Sequence, residues 1–140
     1  MGLSADSIFS HIAWLRELAG LGAEKIGFPV IADMDMQVAR AYGLVHPAAG
    51  DLTVRGTFWI DPEGVLRAML YYPPETGRSL GELLRVLDSL QQADRESVAT
   101  GADWQPGDPL LVPAPRTLEA AERRLDEGYE CETWYLCRKE

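Results

Sequence analysis

Thr53-Val-Arg-Gly-Thr-Phe-Trp-Ile-Asp-Pro-Glu-Gly-Val-Leu-Arg-Ala-Met-Leu-Tyr-Tyr-Pro-Pro-Glu-Thr-Gly-Arg78 decides how this chain is read. Two apolar runs, Thr53–Asp61 and Val65–Tyr72, flank a Pro-Glu-Gly turn, the pattern of a β-hairpin. Arg55 lies inside the first run, where an arginine is costly without an anionic or hydrogen-bonding partner. Arg78 follows the second run, beside a helix start. Two arginines bracketing a hairpin point to a place where negative charge is held.

Working outward, Ser79-Leu-Gly-Glu82 reads as a capping box. Leu80, Leu83, Leu84, Leu87 and Leu90 then form one apolar helical face. Upstream, Ser4-Ala-Asp-Ser7 can start a helix in which Ile8, Ile12, Leu15 and Leu18 recur at helical spacing. Phe9 and Trp14 widen that stripe, and Gly20 and Gly22 end it. Phe28–Ala32 is a short apolar run before Asp33 and predicts a buried strand. Asp35–Tyr42 reads as a short helix closed by Gly43, followed by a polar loop through Pro47 and Gly50.

The order is α-β-α-β-β-α, which fits an α/β sandwich with a mixed sheet. The lead-in strand is represented only by Met1-Gly2-Leu3, so the sequence reads as if it begins inside a domain. After Val98 the composition changes: Thr100–Pro115 holds four prolines and two glycines and reads as an extended arm with little core of its own. Thr117 can cap a last helix through Leu125, ended by Gly128.

The chain has 140 residues, enough for one domain or one domain with an arm, and its 46% hydrophobic content is ordinary for a globular protein. A net charge of −9 argues against general nucleic-acid or anionic-membrane binding. No apolar run approaches the roughly 20 residues of a membrane span. The N-terminus lacks the basic and apolar regions of a secretory signal, which makes the cytoplasm the expected location. The two cysteines, Cys131 and Cys137, both lie in the last ten residues. Their Cys-x5-Cys spacing is a weak zinc signal, because two further ligands are needed and His11 and His46 lie far off in sequence. Those histidines have no acid–base neighbour in sequence and receive no chemistry. The cysteine pair can be two ordinary thiols, a local disulfide or a redox pair. The aromatic residues Phe58, Trp59, Tyr71, Tyr72 and Trp104 are read as core and interface packing.

Taken together the chain resembles a peroxiredoxin of the AhpC/TSA family, in its 1-Cys-like subfamily with archaeal-type members. The resemblance rests on Gly2–Ser7 with His11 and Trp14, Phe28–Asp33, Ala39–Leu44, Val54–Asp61, Tyr71–Pro73, Thr76-Gly-Arg78, Glu82–Arg85 with Ser89–Gln91, and Ala102-Asp-Trp104. It implies a thioredoxin-like mixed sheet flanked by helices, incomplete at the N-terminus, over residues 1–98, and a C-terminal arm over residues 99–140. It also implies thiol-dependent reduction of hydrogen peroxide and organic hydroperoxides, with no cofactor. A thiolate attacks the O–O bond, becomes a sulfenic acid, and is resolved by another thiol. Arg55 would lower the thiol pKa and bind the peroxide in the transition state, with Arg78 supporting the same pocket. Cys137 would be the resolving cysteine and Cys131 its exchange partner. Partners would be a hydroperoxide, a thiol reductant and further copies of the subunit.

One departure matters. The family's nucleophilic cysteine stands in a Pro-x-x-x-Thr-x-x-Cys motif, but Gly128 precedes Cys131 by three residues and Trp134 precedes Cys137 by three. The chain therefore reads as the C-terminal two-thirds of a subunit, inactive on its own. The alternatives are a non-catalytic module that pairs with a full-length subunit, or a thiol–disulfide exchange protein using Cys131 and Cys137.

Overall fold

A computed structural model describes residues 1–22, 26–46 and 52–140. The loop expected through Pro47 and Gly50 lies outside the described residues. The chain packs as two compact units, Met1–Arg78 and Ser79–Glu140.

The first unit opens with β1 (Gly2–Ser4), α1 (Ile8–Gly20) and β2 (Val30–Ala32). β1 and β2 pair in parallel, with Leu3 opposite Ile31. Ser7 caps α1 through a hydrogen bond from Ser10 N to its Oγ. The expected stripe of α1 is displaced. His11 is its buried residue, Leu15 and Leu18 are half-buried, and Ile8, Phe9, Ile12 and Trp14 are exposed. His11 is held at 2.6 Å by Ser4 Oγ, whose hydroxyl donates to Asp6 Oδ2 at 3.0 Å. In that arrangement Nε2 of His11 carries the proton.

Asp33 is buried because its carboxylate caps the next helix, α2 (Gln37–Ala41). Oδ1 accepts Val38 N and Oδ2 accepts Ala39 N, two donors that no turn of α2 can satisfy. Then β3 (Arg55–Ile60) and β4 (Leu66–Tyr72) form the antiparallel hairpin, with Arg55 opposite Tyr72 and a bulge near Ile60. Parallel and antiparallel pairing are both present, as a mixed sheet requires. They lie in separate two-stranded ladders, since no described strand hydrogen-bonds to both.

The second unit begins with α3 (Leu80–Glu96). Ser79 Oγ accepts Glu82 N, which is the first half of the capping box. The Glu82 carboxylate instead takes a bidentate pair with Arg85 at 2.6 and 2.9 Å, which holds its pKa below the ordinary value. A second ion pair joins Glu96 at the end of α3 to Lys139 at 2.7 Å.

The arm departs from expectation. Thr100–Pro115 is not merely an extended segment, because Val98, Trp104 and Leu110 make a small core. Trp104 buries its ring and donates Nε1–H to Asp108 O. The turn that permits this has left-handed backbone at Asp103 and Gly107. β5 (Leu110–Val112) then joins β6 (Glu130–Thr133) and β7 (Leu136–Lys139) in a sheet ordered β5-β7-β6. Between them α4 (Leu118–Arg124) is capped by Thr117. Arg124 is only 4% exposed. Its two terminal nitrogens donate to Val112 O and Pro113 O, each at 2.6 Å, and fasten α4 to the end of β5.

Candidate functional site

Arg55 owes its place to a clamp at the start of β3. Leu44 O accepts Val54 N at 2.8 Å, and Val45 bridges Thr53, so the residues after α2 guide the chain into the strand. The next residue must be small. A Cβ on Gly56 would sit 2.3 Å from Leu44 Cδ2 and 2.9 Å from the Phe58 ring. A glycine inside a strand run is the usual sign of such close approach, and it was readable in the sequence.

The far side of the clamp is aromatic. Phe58 packs edge-on against Tyr42 and Tyr71, with centroids 4.8 and 5.6 Å apart. Tyr71 donates its hydroxyl to Tyr42 O at 2.6 Å, tying β4 to the end of α2. Gly43 turns there with φ of +66° and passes the Tyr71 hydroxyl. These aromatic residues therefore pack, as expected, but Tyr71 also supplies a specific lock that apolar patterning could not reveal. An open groove beside them is lined by residues that include Gly43, His46, Leu52, Tyr71, Tyr72 and Pro73.

Both arginines are exposed in the first unit. Neither guanidinium makes an ion pair or hydrogen bond among the described residues. Arg67, by contrast, reaches Asp61 across the hairpin at 3.5 Å. Arg55 and Arg78 are thus exposed cations with no carboxylate holding them among the described residues.

The cysteines lie in the second unit. Cys131 and Cys137 are cross-strand partners in the β6–β7 hairpin, with Cα atoms 4.0 Å apart, and they form an intrachain disulfide. Glu132 is the bulged residue between the pairs Cys131–Cys137 and Thr133–Leu136, and its carboxylate takes Arg138 at 2.6 Å. That pairing lifts the Arg138 pKa further above its ordinary value. Trp134 and Tyr135 form the two-residue tip, both exposed and stacked edge-on at 5.4 Å. Of the alternatives open for the pair, a local disulfide is the one present.

Arg124 is the residue that sequence reasoning missed altogether. An arginine in the last turn of a helix reads as a surface charge, and only the carbonyls of Val112 and Pro113 at the end of β5 show otherwise.

Comparison with known proteins covers both units. The AhpC/TSA family model matches residues 1–69, and the model for the C-terminal domain of 1-Cys peroxiredoxin matches residues 89–128. A peroxiredoxin of Aquifex aeolicus is 50% identical over 99% of this chain and 68% of its own length. One from Methanosarcina mazei is 45% identical over the same shares of the two chains. Among solved structures, a yeast mitochondrial 1-Cys peroxiredoxin superposes with a TM-score of 0.84 at 33% identity, covering 99% of this chain and 68% of the other. A cysteine-to-serine mutant of peroxiredoxin 6 from Arenicola marina gives 0.75 at 37% identity, over 86% of this chain and 58% of that one. The chain spans about two-thirds of the relatives it matches.

Proposed function

Because this chain belongs to the peroxiredoxin family of thiol-dependent peroxidases, we propose that it carries the charge-holding half of the peroxidase site, around Arg55 and Arg78. The observation that carries this reading is the pair of exposed guanidiniums on the Thr53–Arg78 segment that no carboxylate among the described residues holds. Their ligand would be a peroxidatic thiolate and the oxyanion that develops as the O–O bond breaks. The thiolate displaces hydroxide or alkoxide from the peroxide and becomes a sulfenic acid. Guanidinium donors directed at the leaving oxygen would stabilise its developing charge more than they stabilise the neutral peroxide, which would lower the barrier.

Neither cysteine of the 140 residues stands in the family's nucleophile motif. We therefore expect the chain by itself not to turn over peroxide. The residues would act as the core portion of a peroxiredoxin subunit (1–98) with its C-terminal arm (99–140). The thiol reductant would enter through Cys131 and Cys137, with Cys137 in the resolving role. A cytoplasmic setting and assembly into homodimers or larger homo-oligomers belong to the same reading.

A peroxide-consumption assay with excess dithiothreitol on the 140-residue chain tests it. Baseline rates are expected. Turnover that survives Cys131→Ser and Cys137→Ser together would place the chemistry elsewhere and overturn the reading.

A second reading is favoured by the exposed apolar side chains of the first unit. Phe9 is 79% exposed and Phe28 52%, and Ile8, Ile12 and Trp14 are uncovered as well. Such a surface calls for another polypeptide. On this reading the chain is a non-catalytic module that pairs with a full-length peroxiredoxin subunit. Co-purification of the chain with a tagged full-length relative, absent for the relative alone with an unrelated acidic protein, would separate it from the first.

A further inference from the structure

The disulfide hairpin is chemically lopsided. β7 is the central strand of its sheet and β6 is an edge strand. Cys137 is therefore paired on both sides, with Cys131 across β6 and with Val112 across β5. It is 1% exposed, whereas Cys131 on the edge strand is only half-buried. The two sulfurs of one bond thus differ in the access they give to a nucleophile.

Thiol–disulfide exchange requires a thiolate to approach along the S–S axis from outside one of the two sulfurs. Approach to Cys137 Sγ is closed by its burial at 1% exposure, while the half-buried Cys131 leaves its sulfur the more accessible of the two. We propose that Cys131 is the entry sulfur of this pair: an external thiol reductant attacks Cys131 Sγ, and Cys137 is the leaving group. This rests on the reading of the pair as a thiol–disulfide exchange site.

The steps balance. The reductant thiolate forms a bond to Cys131 Sγ as the Cys131–Cys137 bond breaks, and the electron pair of that bond goes to Cys137 Sγ. Cys137 then takes a proton from solvent or from the reductant. A second reductant thiol cleaves the mixed disulfide on Cys131, so two thiols are oxidised to a disulfide and two cysteine thiols are restored.

The surroundings of Cys137 fit the leaving role in one respect and oppose it in another. Its sulfur lies 3.4 Å from Thr133 O. In the disulfide it has no hydrogen to give, but the released thiol can donate to that carbonyl without rearrangement. Burial opposes it, since a buried thiolate is a poor leaving group until it is protonated. Access still decides, because a sulfur that cannot be reached cannot be attacked at all, whereas a poor leaving group only slows the step.

The test uses the full chain and glutathione as the probe. The chain is oxidised with diamide, disulfide formation is verified by mass, and glutathione is added and quenched with acid within seconds. Chymotryptic cleavage at Trp134 or Tyr135 separates the two cysteines, and the glutathionylated one is identified. In parallel, thiol reactivity toward a small aromatic disulfide is measured for Cys137→Ser and for Cys131→Ser. We expect the glutathione on Cys131, and Cys131 in the first variant to react at least about tenfold faster than Cys137 in the second. Glutathione found mainly on Cys137, or equal reactivity of the two thiols, overturns the polarity and leaves the exchange reading standing. A chain that diamide fails to convert to the intrachain disulfide overturns both. The native-sequence measurement keeps the test decisive if either serine variant folds poorly.

Discussion

Gly56→Ala is the sharpest probe of how Arg55 is placed. The added Cβ would meet Leu44 Cδ2 at 2.3 Å. Carbon atoms in good contact lie about 3.5 Å or more apart. Leu44 must therefore retreat by about 1.2 Å, the difference between those two distances. It has little room, since it is 8% exposed and its own carbonyl anchors Val54. The Phe58 ring blocks the second direction at 2.9 Å, and Phe58 is itself fixed between Tyr42 and Tyr71. Overpacking of this kind costs about 1–3 kcal/mol. For a unit of this size, a cost of about 2 kcal/mol lowers the melting temperature by on the order of 10 °C. Urea and thermal denaturation followed by far-ultraviolet circular dichroism measure it. Leu44→Ala alone should cost about 2–5 kcal/mol. It also removes the group that clashes, so the double variant should be more stable than the sum of the singles by about 1 kcal/mol or more. A Gly56→Ala chain within about 0.5 kcal/mol of the parent, with strict additivity in the cycle, would show that β3 does not run against Leu44 and that the clamp on Arg55 is wrongly drawn.

Other outcomes follow from the same geometry. Arg55→Ala should leave stability within about 0.5 kcal/mol, because the exposed guanidinium has no partner to lose among the described residues. In a peroxidase that contains this segment with its nucleophile, the same change should lower kcat/KM by about 100-fold or more. A drop confined to KM would contradict a transition-state role. Arg124→Met should destabilise the second unit by about 2–4 kcal/mol, since two carbonyls of the β5 end lose charge-assisted bonds, with Arg124→Lys in between. Equal urea midpoints for the parent and Arg124→Met would refute this. Hydrogen bonding from Lys139 holds the Glu96 carboxyl below its ordinary value of 4.5. A carboxylate of lowered pKa adds stability above the ordinary value, and that increment is lost as pH falls through the lowered one. Lys139→Gln should therefore flatten the acid limb of the stability profile while changing little under strongly acid conditions.

Much of the fold was legible because its signals are local. The hairpin, the Ser79 and Thr117 caps and the Asp33 stop each depend on residues a few positions apart, and each lies where the sequence placed it. What stayed hidden depends on chain segments meeting at a distance. Patterning put Ile8 and Ile12 on the inner face of α1, but the helix turns His11 inward, because Ser4 on β1 supplies its hydrogen-bond partner. Proline content made Thr100–Pro115 look extended. A tryptophan with a carbonyl for its indole N–H gave the segment a core of its own.

The candidate site divides along the same line. Composition and spacing were enough to single out Arg55, Arg78 and the cysteine pair, since a charged residue in an apolar run and two thiols in a tail are visible anomalies. The roles of the two cysteines were not legible, because nothing in Cys-x5-Cys distinguishes one thiol from the other. Strand order does. With β7 between β5 and β6, Cys137 is buried and Cys131 lies half-buried on an edge strand, so two positions alike in the motif differ in exposure. The arginines show the converse. Their type and setting were plain in the sequence, and the fold adds that nothing among the described residues satisfies them. Both stand exposed in a chain carrying 22 acidic residues against 13 basic ones, and the anion proposed for them is the part of the site that the Arg55→Ala measurement tests.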